Sequence, residues 1–264
     1  MVRLESLSPL SLIEVELQQY SAATLRWGEI NNAPAGAVWC LPIDGDLTNP
    51  LGTKAGYLEM YGGAGLGANA GGVRCANVGD VQIKGIGFSC LAGNGTDKWH
   101  RHGAMSLQDA VKEAIFSEIF YAAAPLGAVR ALGIHDLGVR FVTEIGRGKA
   151  PGSAPRALFV REQSVRVGHF MRSSFMGVGP ELAVREVARM RDGIPRLVNH
   201  LVPENEVVNF RSAAQALVRV FDRLMHQIAV LRTKRLVHGS LIPSNFCIDG
   251  RLLDFTTSTA VSTL

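Results

Sequence analysis

The chain has 264 residues, 47% apolar and 19% charged, which is enough for one large domain or a two-lobed one and too apolar for a disordered protein. Its formal charge of +4 suits an anionic small ligand and is too slight and dispersed for a nucleic-acid footprint. Cys40, Cys75, Cys90 and Cys247 show no ligand spacing and read as reduced thiols of a cytoplasmic protein. Glu5, Glu14 and Glu16 break the N-terminal segment before a signal-peptide core forms, and no run of about 18 apolar residues predicts a membrane span.

Residues 1–55, punctuated by proline and glycine in AGAVWCLPIDGDLTNPLG, predict loops and short strands without assignable chemistry. The glycine-dense GYLEMYGGAGLGANAGG, 56–72, predicts backbone at positive φ or in close approach to a ligand. VRCANVGDVQIKGIG then predicts a strand, a turn at Asn77 to Asp80, and a second strand carrying Lys84. A glycine-rich loop, a hairpin and a strand lysine, in that order, are how kinases cover and neutralise ATP phosphates. Glycines admit backbone N–H groups to phosphate oxygens, and the lysine adds a mobile charge. The plain alternative is a surface loop above a solvated lysine.

Ser106-Leu107-Gln108-Asp109 resembles a capping box, and the helix it starts runs to about Ala123. Leu107, Ala110, Val111, Ala114, Ile115 and Ile119 form one apolar stripe, with Phe116 and Phe120 opposite beside Glu113. That predicts a helix sandwiched between two layers. A buried carboxylate needs a partner, for which Lys84 is the natural one. Two glutamates compete for it, Glu113 and Glu118.

Residues 128–170 read as strands interrupted by GRGKAPGSAPR, and ALFVREQSVRVGHF places Arg161 and Arg166 near the end of the sheet. There they either point outward from a strand edge or form a fork for phosphate. After Met171 the pattern is helical, over 181–192 and again over 211–231. The second helix carries a stripe of Ala214, Leu217, Val218, Phe221, Leu224, Met225, Ile228 and Leu231.

In LVHGSLIPSNFCIDGRLLDF, 236–255, the apolar pairs Phe246/Ile248 and Leu252/Leu253 flank Asp249-Gly250, a strong hairpin signal. Such a hairpin carries Asn245 at one end and Asp254 at the other. Protein kinases hold Mg²⁺ with an Asn and an Asp so placed, the remaining octahedral sites going to water and phosphate oxygens. The plain alternative is that Asn245 begins a turn and Asp254 ends a strand. His100 and His102 lack a third ligand nearby and read as loop histidines, and His238 in its His-Gly loop reads as structural rather than catalytic.

Five pieces recur in order between about Tyr57 and Phe255: Tyr61-Gly62-Gly63, Lys84-Gly85-Ile86-Gly87, KEAIFSE at 112–118, LFVREQSVRVGHF at 158–170, and HGSLIPSN with LLDF. Together they resemble the selenoprotein O family, kinase-like proteins that transfer AMP from ATP to protein hydroxyls. The resemblance implies an α+β, protein-kinase-like two-lobed fold. Residues 1–170 would form an N-lobe whose antiparallel sheet carries one buried helix, and 171–264 a partial helical C-lobe with the metal-binding hairpin. Ten residues follow Asp254, fewer than such a lobe requires, so a partner chain completing it is expected.

By the same resemblance Lys84 holds ATP phosphates, with Glu113 rather than Glu118 as its partner. Gly71 and Arg74 belong to the glycine-rich approach, Arg161 and Arg166 sit on the phosphates of an ATP flipped relative to ordinary kinases, and Asn245 and Asp254 bind Mg²⁺. The substrate is a protein or peptide bearing a Ser, Thr or Tyr hydroxyl, with neither nucleic acid nor membrane as partner. The departures concern the same places. Gly71-Gly72-Val73-Arg74 has one glycine fewer than the family, the two arginines lie two residues closer, and His102-Gly103 replaces an Asp-Gly. The position of the family's catalytic base is Ser244, and that of the ordinary kinase base is Ser240. A general base supplies about 10²–10⁴-fold, whereas transfer at phosphorus relies mainly on positioning and electrostatics. The expected function is therefore an ATP- and Mg²⁺-dependent nucleotidyltransferase. The alternative is a catalytically impaired, nucleotide-binding pseudokinase with a regulatory or scaffolding role.

Overall fold

The computed structural model describes residues 2–21, 24–28, 37–43, 45–62, 71–92, 96, 101–143, 152–173 and 180–262. Gly63 with the rest of the glycine-dense loop, His100, and most of GRGKAPGSAPR lie outside the described residues. The class is α+β, as expected.

The strands are β1 (Leu12–Ser21), β2 (Thr24–Gly28), β3 (Ala37–Cys40), β4 (Gly52–Glu59), β5 (Cys75–Val78), β6 (Val81–Lys84), β7 (Met105–Ser106), β8 (Ala131–Thr143) and β9 (Gly152–Glu162). They form an antiparallel sheet in the order β2-β8-β9-β6-β5-β4-β1-β3, with β7 also on β9. The helices are α1 (Leu4–Leu7), α2 (Leu107–Ala123), α3 (Pro180–Leu201) and α4 (Phe210–Thr233). A small pair, β10 (Leu236–Val237) with β11 (Thr259–Ala260), brackets the C-terminal segment. Among the described residues no helix is long and apolar enough to cross a membrane.

The β5–β6 hairpin turns where the sequence predicts, and its apolar face, with Ala76, Val78 and Ile83, joins the main core of Leu17, Leu58, Met60, Ile86 and Leu158. Lys84 ends β6 because Gly85 follows at φ +97, where a Cβ would lie 2.6 Å from the Ala157 carbonyl oxygen. Gly71 has the same constraint, at φ +112 with 2.2 Å to the Glu59 carbonyl oxygen, so its place is fixed by backbone crowding whatever it binds.

The Ser106 hydroxyl caps α2, accepting from the Asp109 amide at 3.0 Å. The helix lies between the sheet, on Ala110 and Ala114, and the C-terminal core, on Phe116 and Phe120, but its predicted first stripe is split. Ala110, Glu113, Ala114, Ser117 and Phe120 are buried, whereas Val111, Ile115 and Ile119 are exposed. The helix is apolar nearly all round, so periodicity alone selects no face. The small Ala110 and Ala114 let its backbone approach Ala131, Ala157 and Phe159 of the sheet.

A similar rotation occurs in α4. Ser212, Ala216, Val220, Leu224, Gln227 and Leu231 face inward, and the predicted stripe residues Leu217, Val218, Phe221 and Met225 are exposed. Leu224 and Leu231 meet Phe120, Phe246, Leu252 and Phe255 in a second core. The predicted C-terminal hairpin is shorter than a strand pair. Asn245 lies in a 3₁₀ turn, Phe246 and Leu252 form an isolated bridge, and the bonds Cys247 N–H to Arg251 O (2.8 Å) and Leu253 N–H to Asn245 O (3.1 Å) close it. Asn245 and Asp254 are thereby brought to the same end.

Candidate functional site

The alternation of β6 sends Gln82 and Lys84 to the face opposite Ile83. Register then builds a polar row across three strands, with Asn77 and Arg161 directly opposite Gln82, and Cys75 and Phe159 opposite Lys84. Helix α2 lies over this face and delivers Glu113. Lys84 Nζ donates to Glu113 Oε2 at 2.6 Å, and Arg161 Nη1 donates to Oε1 at 3.0 Å. Glu118 instead forms a two-pronged pair with Arg130, both bonds 2.8 Å, with side chains 34% and 36% exposed. Of the two glutamates, Glu113 is the one that meets Lys84.

Asp254 completes the cluster. Lys84 Nζ and Arg161 Nη1 both bond its Oδ1, the latter at 3.3 Å, and Arg166 Nη1 lies 3.6 Å from Oδ2. Burial opposes its ionisation, but Lys84, Arg161 and Arg166 outweigh that and hold the carboxyl well below the usual range. Its φ of 67° puts a non-glycine residue in the left-handed region, which costs about 1–3 kcal/mol and persists only where surrounding bonds determine it.

A cavity of about 210 Å³ opens here, lined by Gly71, Arg74, Lys84, Asn245 and Asp254, with Ser240 and Ser244 also on its wall. Asn245 Nδ2 donates to the Ser240 carbonyl at 2.9 Å, and Oδ1, which accepts a long 3.5 Å bond from the Ser244 hydroxyl, keeps a second lone pair for a ligand. One amide oxygen and one carboxylate fit a hard cation whose other ligands are water and phosphate oxygens. Among the described residues no cluster of three or more His, Cys, Asp or Glu side chains could hold an ion alone. No carboxylate stands at Ser240 or Ser244.

Arg161 and Arg166 follow neither expected course. They are fully buried, point inward behind Asp254, and are absent from the residues that line the cavity. His238 is structural. Its Nε2 bonds the Leu253 carbonyl at 2.9 Å, its ring packs on Phe120 and Phe255, and burial lowers its pKa. His102 accepts from the Ala104 amide through Nδ1, 2.8 Å, and packs against Phe141.

Sequence reasoning misses a buried layer behind the arginines. Glu59 Oε1 accepts from Asn77 Nδ2 and Gln82 Nε2, both 2.8 Å, and Oε2 faces His169 Nε2 at 3.3 Å. His169 Nδ1 accepts the Arg166 amide at 2.9 Å, so its proton is on Nε2. The available signal is strand alternation, since Gln82 stands two residues before Lys84 on the same face.

Burial opposes the charge on Glu59, while the hydrogen bond from His169, the charge of Arg166 and the bond from Asn77 hold its pKa below the usual carboxylate range. Burial lowers the pKa of His169, and the Arg166 amide on its Nδ1 favours the neutral ring that donates to Glu59 through Nε2. A depressed carboxylate contributes stability that is complete above its unfolded pKa and lost as pH falls through the folded one. Melting temperature should therefore fall below about pH 4.5, and Glu59→Gln should flatten that acid limb in a pH series of thermal melts. A limb unchanged in the variant would exclude Glu59 as its source.

No protein-family model matches the chain, and no curated protein matches it. The resemblance to selenoprotein O rests on the quoted residues alone.

Proposed function

We propose that this protein binds ATP with Mg²⁺ in the cavity between Lys84 and Asp254 and transfers AMP to a protein or peptide hydroxyl. On this reading the fold is kinase-like and two-lobed, the strands through Glu162 serving as the nucleotide-binding lobe and α3, α4 and the C-terminal segment as a partial helical lobe. The observation that carries it is one cavity wall bearing a helix-anchored lysine, an asparagine oxygen and an aspartate, beside Gly71 and Arg74. The exposed Leu217, Val218, Phe221 and Met225 give α4 an apolar outer face on which further helical structure would pack.

Lys84 is shared between Glu113 and Asp254. Phosphate oxygens entering the cavity compete with Asp254 for its ammonium, and Glu113 keeps the lysine aimed throughout. Asp254 and Asn245 Oδ1 are the residues that would hold magnesium, which when bound neutralises charge developing on the phosphates. The substrate hydroxyl oxygen bonds to the α-phosphorus, the bond to the α–β bridging oxygen breaks, and pyrophosphate leaves. With serine at 240 and 244, the hydroxyl proton passes to solvent or to phosphate. The choice of AMP over phosphate follows from the family resemblance.

Incubation with ATP labelled at the α or the γ position, with candidate protein substrates, tests this directly. Label from the α position alone supports AMP transfer, and γ label alone would overturn it. A second reading, a nucleotide-binding regulator without chemistry, draws on the absence of a carboxylate at Ser240 and Ser244. Ser244→Asp should raise transfer, by up to about 10²–10⁴-fold if proton removal limits the rate. An active wild type whose rate Ser244→Asp leaves unchanged means the proton has another route. If both are inert yet bind nucleotide, the second reading holds.

A further inference from the structure

Arginine donates only, so two guanidinium groups in a dry interior must be separated by an acceptor. Arg161 and Arg166 have almost no exposure, and apart from the Asp254 carboxylate, which faces both, they meet on one shared acceptor atom. Gln82 Oε1 receives Arg161 Nε at 2.8 Å and Arg166 Nη2 at 3.1 Å. The same facts fix the amide's orientation, because the flipped form would oppose N–H to N–H on both sides. Its Nε2 then donates to Glu59 at 2.8 Å, with Asn77 Oδ1 at 3.3 Å. Beyond Gln82, Arg161 Nη1 reaches Glu113 and Asp254, and Arg166 Nη1 reaches the Ser244 carbonyl at 3.0 Å and lies near Asp254 Oδ2.

We infer that Gln82, seated on Glu59, is a positioning residue that sets both arginines and through them the place of Asp254 at the candidate metal site. The inference rests on the nucleotide reading for its function, but the bridge itself is independent of any ligand. Gln82 does not line the cavity, so it acts only through the arginines. A side chain at 82 without an acceptor leaves two guanidinium N–H groups unpaired in the interior and lets them turn toward Asp254.

The test uses Gln82→Met and the exchange Glu59→Gln with Gln82→Glu, which conserves net charge and keeps an acceptor facing both arginines. ATP affinity is measured with Mg²⁺ and with chelator. Gln82→Met should reduce the Mg²⁺-linked gain in affinity by about tenfold or more, the equivalent of one hydrogen bond to a charged group, while metal-free affinity stays nearly unchanged. The exchange should restore the gain. Equal loss in both buffers, or a full gain in folded Gln82→Met, overturns the proposal. If Gln82→Met does not fold, an exchange variant that folds but lacks the gain does the same. Arginine side-chain Nε–H resonances report the bridge without nucleotide. The Arg161 Nε–H should be slow to exchange in wild type and in the exchange variant, and fast in Gln82→Met. That pattern in a protein that binds no ATP would keep the bridge and refute the nucleotide reading, whereas fast exchange in wild type would refute the bridge.

Discussion

Asp254→Ala should abolish metal-dependent nucleotide binding and any transfer. Among the described residues Asp254 is the one carboxylate on the cavity wall, its side chain 21% exposed where Lys84 and Glu113 are 2% or less, so it is the acidic group there that a cation in the cavity can reach. Alanine removes that ligand and also leaves Lys84 and Arg161 with Glu113 as their remaining carboxylate. Alanine is strained at a φ of 67°, so Asp254→Asn is the sharper comparison, because asparagine tolerates the left-handed region and keeps one oxygen. Both should lose the response to Mg²⁺, and only alanine should carry the backbone cost. Binding of a paramagnetic Mn²⁺ substitute in the presence of ATP would measure the ligand loss apart from activity. Undiminished Mn²⁺ binding in Asp254→Asn would remove Asp254 from the metal site.

Glu113→Ala should be the most destabilising change in the cluster, by about 3–5 kcal/mol, because it leaves buried cations short of a counter-charge. Lys84 and Arg161 would then share Asp254 alone, drawing the lysine away from the helix side. Nucleotide binding should weaken as well. Glu118→Ala, by contrast, breaks a partly exposed pair with Arg130 that contributes about 0.2–1 kcal/mol and touches nothing in the cavity. Urea melts paired with ATP titrations on the two variants separate these effects. A larger loss of stability or of binding in Glu118→Ala than in Glu113→Ala would assign the carboxylate to the wrong turn of α2.

What was legible in the sequence was local. The β5–β6 hairpin, the Ser106 cap and the lysine on β6 follow from turn and cap chemistry within a few residues. The choice of Glu113 over Glu118 needed the family resemblance, since both glutamates sit on a helix apolar on nearly every side. For the same reason Val111, Ile115 and Ile119 did not announce that they would face solvent. Arg161 turned inward because β9 pairs with β6, a register joining residues 79 positions apart through Gln82 and Arg161, and Arg166 lies beyond β9 at an isolated bridge to Cys247. Glu59 was invisible for that reason too, its partners coming from three separate segments at Asn77, Gln82 and His169.

The charge of the cluster makes a direct demand on its ligand. Lys84, Arg161 and Arg166 face Asp254, Glu113 and Glu59, and Arg74 on the cavity wall adds a further positive charge, an excess that a divalent cation enlarges to suit a polyphosphate. Calorimetric titration of ATP into the wild-type chain, once with Mg²⁺ and once with chelator, tests this most directly. Clear binding with Mg²⁺ and much weaker binding without it is the result expected from the Asn245 and Asp254 pair. Equal affinity in the two buffers, or no binding in either, would contradict it.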